Sequence, residues 1–304
     1  MISVADLPKA ELHVHLEGAV EPELLRELAP GLTAEEINAR YRYVDFAGFI
    51  ESFKWVTSFL RTPADYARVA RRLGQRLREQ NVSYAEVILS AGVILWKKQD
   101  LPAVFRAARE AMGESGVEVG WIFDAVRQFG AGPAREAFEI AAALKEEGVV
   151  GIGIGGDESR GPAEWFREAF AWARAQGLRL SAHAGETTTA DSVWEALDIG
   201  AERIGHGIRA AHDPRLLAHL RDQDIPLEIS ISSNVATGAV RSLAAHPVRK
   251  LFDAGVPLVL NTDDPAMFHT TLNAEYELAR RQFGFSDGEL RQLAENSFRY
   301  RFTR

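Results

Sequence analysis

Residues 149–184 read VVGIGIGGDESRGPAEWFREAFAWARAQGLRLSAHA: a short uncharged run (Val149–Gly155), a stretch with apolar groups at helical spacing (Ala163–Gln176), and a second short run (Arg179–Ala184). Strand, helix and strand in that order predict a parallel pair, because parallel neighbours need a long crossover between them. The same rhythm continues in both directions. Toward the N-terminus lie strand-like runs at Glu11–Leu16, Tyr84–Ser90 and Glu118–Ala125, with helical patterns at Asp65–Gln80, Leu101–Glu114 and Pro133–Glu147. Toward the C-terminus lie Arg203–Gly207, Pro226–Ser232 and Pro257–Asn261, with helical patterns at Pro214–Asp222 and Val248–Ala254. Eight strand signals predict one closed (β/α)8 barrel of the TIM type, an α/β fold occupying residues 1–304 as a single domain.

The first interval departs from this rhythm. Glu21 to Gln80 holds about three helical patterns before the second strand, more than one crossover needs. Extra helices are therefore expected over the barrel mouth. Within them, Phe46, Phe49, Ile50, Phe53, Val56, Phe59 and Leu60 recur at helical spacing. That pattern reads as core packing, and its place after strand one also suits a lid over residues 46–62.

Composition narrows the partners. The chain has 304 residues, is 46% hydrophobic and 26% charged, and contains no run apolar and long enough to span a bilayer. The start, MISVADLPKAELHVH, lacks a secretory pattern, so a cytoplasmic protein with no membrane partner is expected. A formal charge of −8 disfavours nucleic acid, whose binding replaces counterions with a basic surface. Zero cysteines exclude disulfides, thiolate nucleophiles and cysteine-bound zinc. Any metal must rest on histidines and carboxylates.

Polar residues gather where the strands end, the place where barrel enzymes carry their chemistry. His13 and His15 are two apart on one strand, so their imidazoles point the same way and can share a metal. Alone, such a pair is more often structural, packed or hydrogen-bonded. Strand five ends in His183 with Glu186 three residues on, strand six in Gly205-His206-Gly207, and strand eight in Asp263-Asp264-Pro265. Each could be bland by itself: a satisfied buried histidine, or an aspartate capping a helix before proline. Coincidence at four strand ends favours one site.

The chain resembles the adenosine and adenine deaminases of the amidohydrolase superfamily. The resemblance rests on ELHVHLEG (Glu11 to Gly18), GGDE (Gly155 to Glu158), HAGET (His183 to Thr187), IGHGI (Ile204 to Ile208), SSNVATG (Ser232 to Gly238) and LNTDDP (Leu260 to Pro265), which cover nearly the whole chain. It implies one zinc ion per chain held by His13, His15, His183 and Asp263. Related barrels with two metals bridge them through a lysine at the end of strand four, where this chain has Gly155-Gly156-Asp157-Glu158. It further implies Glu186 as proton donor to the purine ring, Asp264 orienting the attacking water and taking its proton, and His206 stabilising the developing charge. Gly156 is expected to offer its N–H to the purine edge. Asp157 and Glu158 read equally as a structural network beneath the site.

The substrate implied is a small purine, and the sequence leaves open adenosine, free adenine or a 5′-modified nucleoside such as aminodeoxyfutalosine. Glu17 stands where nucleoside-using animal members carry aspartate, and its carboxylate is expected to contact ribose. The Thr237-Gly238 and Thr271-Leu272-Asn273 context is closer to the nucleoside users. A barrel binding purines without turnover would betray itself by a missing ligand or acid, and every such position is filled.

Overall fold

In the computed structural model, which describes residues 2–302, eight strands hydrogen-bond in chain order. They are β1 Lys9–His15, β2 Val82–Leu89, β3 Glu118–Val126, β4 Val149–Gly155, β5 Arg179–Ala184, β6 Arg203–His206, β7 Leu227–Ile229 and β8 Leu258–Leu260. Every adjacent pair is parallel. The ring closes where β8 returns to β1: His15 N–H donates to the Asp263 carbonyl at 2.7 Å, and Asp263 N–H to the His13 carbonyl at 3.0 Å.

That seam has its own hardware. The register of β1 shifts between Glu11 and Val14, and the Asn261 side-chain oxygen accepts the N–H groups of both Leu12 (2.8 Å) and His13 (3.1 Å). Without it two buried donors would go unmet. A C-terminal helix, Asp287–Arg299, covers the seam, with Asn296 donating to the Leu258 carbonyl at 2.9 Å and Ser297 accepting from Ala10 N–H at 2.9 Å.

The expected strand Pro226–Ser232 is shorter than its sequence suggests. After Ile229 the chain turns into a helix, Ile231–Ala236. The cause is remote: the Glu275 carboxylate, from the helix Leu272–Phe283, accepts the N–H groups of Ile231 (2.9 Å) and Ser232 (3.2 Å). It satisfies donors that open a helix and that a local reading cannot see. The expectation of about three helical patterns in the first interval becomes four helices: Pro22–Leu28, Ala34–Arg40, Phe46–Thr57 and Pro63–Glu79. The fourth is the crossover to β2, and the short second one is started by a reciprocal cap between Thr33 and Glu36.

Toward the N-terminal end of the barrel, Arg203 lies only 1% exposed among fixed partners. Its Nε donates to Glu228 at 2.6 Å, Nη2 to Glu86, and Nη1 to the Tyr300 carbonyl at 2.8 Å, while its guanidinium covers the Phe302 ring at 3.5 Å. Among the described residues no helix is long and apolar enough to cross a membrane.

Candidate active site

The strand ends bring His13, His15, His183, His206, Asp263, Asp264 and Glu186 together. His15 Nε2 lies 3.1 Å from His183 Nε2 and 3.3 Å from Asp263 Oδ1, and His13 Nε2 lies 3.5 Å from the same oxygen. The outer nitrogens are tied down: His13 Nδ1 to Glu228 Oε2 at 2.7 Å, and His183 Nδ1 to the Ile154 carbonyl at 3.1 Å. Partners of that kind orient imidazoles toward a shared ion. Burial lowers His15 to about 3 and His183 well below its ordinary range, leaving neutral rings with lone pairs to share. His13 Nε2 is buried with no hydrogen-bond partner. Against burial, the Asp263 and Glu228 carboxylates raise His13 to about 10, so this ring draws positive charge, and converging imidazoles beside a carboxylate held ionised by its histidine neighbours fit a divalent cation such as zinc.

Asp263 and His206 both adopt left-handed backbone angles, φ 64° and 63°. This is an uncommon conformation for side chains of their size, and such strain collects at functional sites. Ser233 Oγ donates to Asp263 Oδ2 at 2.7 Å, holding the carboxylate in place. Asp264 is buried, and burial together with the neighbouring Asp263 charge pushes its carboxyl well above the usual range. Its Oδ1 occupies the space beside Gly18: a Cβ there would lie 1.8 Å away, so the last residue of ELHVHLEG must be glycine.

Glu186 is held by its own loop. Glu158 accepts the N–H groups of Gly185, Glu186 and Thr187 at 2.9, 2.9 and 3.0 Å and the hydroxyls of Thr188 and Ser192. Burial raises the Glu158 carboxyl, but these donors outweigh it and hold the group below its ordinary value. Glu186 has no such set of donors. Burial, then the Asp263 and Glu158 charges, raise it well above the ordinary range. Its Oε2 lies 3.8 Å from His206 Nε2.

These groups open into a cavity of about 630 Å³. Phe46, Phe49, Ile50 and Phe53 form one wall, so the Phe46–Thr57 helix is both core and roof. Phe49 packs at a tilt against Phe268, ring centroids 5.0 Å apart, and Lys97 ties the helix end down by donating to the Thr57 and Leu60 carbonyls at 2.7 Å. Gly156, with φ 91°, lines the opposite wall beside Gln128. Glu17 does not line it. That side chain is 1% exposed, and its carboxylate accepts the N–H of Ser90, which lines the cavity, at 3.1 Å.

Asp124, which the sequence reading passed over, does face the cavity. Among the described residues its buried Oδ1 has no hydrogen-bond partner, and the carboxyl fits against the bare Gly153 and Gly155, where an added Cβ would come within 2.6 Å of its oxygens. Burial raises it to about 7. A lone carboxylate inside the apolar run Trp121–Val126 was the available signal.

A closed parallel barrel gathering histidines and carboxylates at its strand ends has the architecture of a barrel hydrolase. The chain belongs to the adenosine deaminase family, whose model matches residues 8–304. It is a hydrolytic deaminase. It is 40% identical over 308 residues to the aminodeoxyfutalosine deaminase of Streptomyces avermitilis, covering 97% of this chain and 86% of that one. It is 37% identical to an adenine deaminase of Rhizobium leguminosarum, covering 97% and 95%. Among solved structures, the adenine deaminase of Arthrobacter aurescens superposes with a TM-score of 0.90 at 30% identity, covering 98% and 94%. A zinc-bound amidohydrolase of Burkholderia ambifaria superposes at 0.91 with 27% identity, covering 99% and 87%.

Proposed function

We propose that the protein holds one zinc ion through His13, His15, His183 and Asp263 and hydrolyses the 6-amino group of an adenine nucleoside, adenosine or a 5′-modified form such as aminodeoxyfutalosine. The observation that carries the chemistry is Glu186, buried and with its carboxyl raised by that burial, beside three converging imidazoles. Zinc in that ring supplies the Lewis acidity that makes a water reactive at neutral pH. Glu186 gives its proton to ring nitrogen N1 while the attacking oxygen adds at C6, so electron density moving into the ring is met as it arrives. Asp264, adjacent in sequence to the ligand Asp263, orients the water and takes its proton once a bound cation offsets the Asp263 charge that otherwise raises its carboxyl. His206 steadies the charge on the oxygen, and Gly156 offers its N–H to the purine edge. Asp264 passes the proton taken from water to the amino group, the C6–N bond breaks and ammonia departs, and the proton of the C6 hydroxyl goes to Glu186 as the carbonyl forms.

The cavity supports a substrate larger than a base. About 630 Å³ walled by phenylalanines and Trp96 leaves room and apolar surface beyond a purine ring, and the 40% identical relative bears the name of a nucleoside deaminase. Assays of adenine, adenosine, deoxyadenosine and aminodeoxyfutalosine, with metal analysis of the purified protein, test the proposal. Higher kcat/KM on a nucleoside than on adenine and one zinc per chain are expected. Turnover of adenine alone would overturn the nucleoside assignment, and two zinc ions per chain would overturn the ligand set. His13→Ala is expected to lose the metal.

A further inference from the structure

His13, His183, His206 and Asp263 present ligand atoms all within 4.8 Å of one another, and His15 forms a second group with Asp263 and Asp264. Distance alone therefore does not separate His206 from the metal ligands. Hydrogen-bond direction does. The backbone N–H of Val248 can only donate, and it meets His246 Nδ1 at 3.2 Å. His246 Nδ1 must hold a lone pair, so the ring proton is on Nε2. Burial keeps a second proton off this ring, lowering it to about 3.

His246 Nε2–H lies 3.1 Å from the Asn234 side-chain oxygen and donates to it. The amide nitrogen of Asn234 then faces His206 Nδ1 at 3.0 Å and donates in turn. Turning the amide over would set N–H against N–H at His246, so its orientation follows from the backbone donor. His206 Nδ1 is thus an acceptor, and the proton of the neutral ring is on Nε2. That N–H points toward Glu186 Oε2 at 3.8 Å and Asp263 Oδ2 at 3.9 Å.

We infer that His246 and Asn234 are positioning residues that lock His206 with its proton on Nε2, making it a fixed hydrogen-bond donor to the reacting oxygen and excluding it from the metal's ligands. A nitrogen that carries a proton has no lone pair for a cation. The oxygen's part rests on the deaminase reading above, whereas the proton's position does not. Neither His246 nor Asn234 lines the cavity, so both act through His206.

Nitrogen NMR of zinc-loaded protein with isotopically labelled histidine reads the tautomer directly. The wild type is expected to show the His206 proton on Nε2. In Asn234→Asp, near-isosteric but able only to accept, the proton is expected to move to Nδ1. With zinc content unchanged and KM little altered, kcat should then fall about 10²–10³-fold, the usual cost of losing one charge-stabilising donor. His246→Gln, which can still donate to Asn234, should keep most of the rate that His246→Leu loses. A wild-type proton on Nδ1 overturns the inference, as does a moved proton with unchanged kcat, or a lost rate with the proton unmoved. If Asn234→Asp does not fold, the wild-type spectrum and the His246 pair decide. Inactivity on every adenine compound would sink the functional reading while the spectrum still tested the tautomer.

Discussion

Two clusters of buried charge share this barrel, and they differ in what is left unpaired. Around Arg203 each nitrogen of the guanidinium meets a carboxylate or carbonyl, and a phenylalanine ring covers its face. At the other end of the strands His13 Nε2, Asp264 Oδ1 and Asp124 Oδ1 are buried without partners. Burying an unmatched polar atom costs free energy. A fold that satisfies one cluster in full and leaves the other open has built the first for structure and the second for a ligand. Glu228 joins them, one oxygen on Arg203 and the other on His13.

The largest effect expected from breaking this contrast is at Glu186. Glu186→Gln should keep its metal and melting temperature while kcat falls by about 10²–10⁴, the usual worth of a positioned proton donor. The sign of the pH dependence follows: the raised carboxyl is an acid below its folded pKa and is lost as pH rises through it. Wild-type kcat/KM should therefore decline on the alkaline side, and the residual activity of Glu186→Gln should lack that decline. A decline that persists in the variant would assign it to another group.

Arg203→Met should show the opposite signature, a loss of unfolding free energy of about 3–5 kcal/mol in urea titrations, because it strands two buried carboxylates. A loss below about 1 kcal/mol, the level of an exposed ion pair, would mean that the cluster is not structural. Glu228→Gln sharpens the comparison, since it touches both ends. Metal affinity should weaken about 10–100-fold, as for other outer partners of ligating histidines, measured by competition with a chelator. The smallest effect is at Asp124, where Asp124→Asn should change kcat/KM by about tenfold or less, the scale of one hydrogen bond, and chiefly through KM. An effect confined to kcat would place Asp124 in the chemistry instead.

Much of this was legible in the chain. The alternation around residues 149–184 yields the barrel because strand and helix periods are local properties of the sequence. The histidines and carboxylates of the candidate site stand out because barrel strands deliver their ends to one face, so polar residues at those ends converge. Glu17 shows the limit. Its position after β1 suggested a ribose contact, yet whether a side chain faces a cavity or a neighbouring backbone amide depends on Ser90, which is brought beside it by the pairing of β1 with β2.

The sequence by itself determined the order of strands and the residue types that meet at their ends, since periodicity and residue type need no partner to be read. Tertiary structure alone decided where β7 stops, through the Glu275 carboxylate, and which carboxylate faces the cavity, through the space left by Gly153 and Gly155. It also decided which nitrogen of His206 bears the proton, through a backbone N–H reached across Asn234 and His246. Each of these depends on a hydrogen bond or a contact between residues far apart in the chain, and a local pattern holds no record of such a partner.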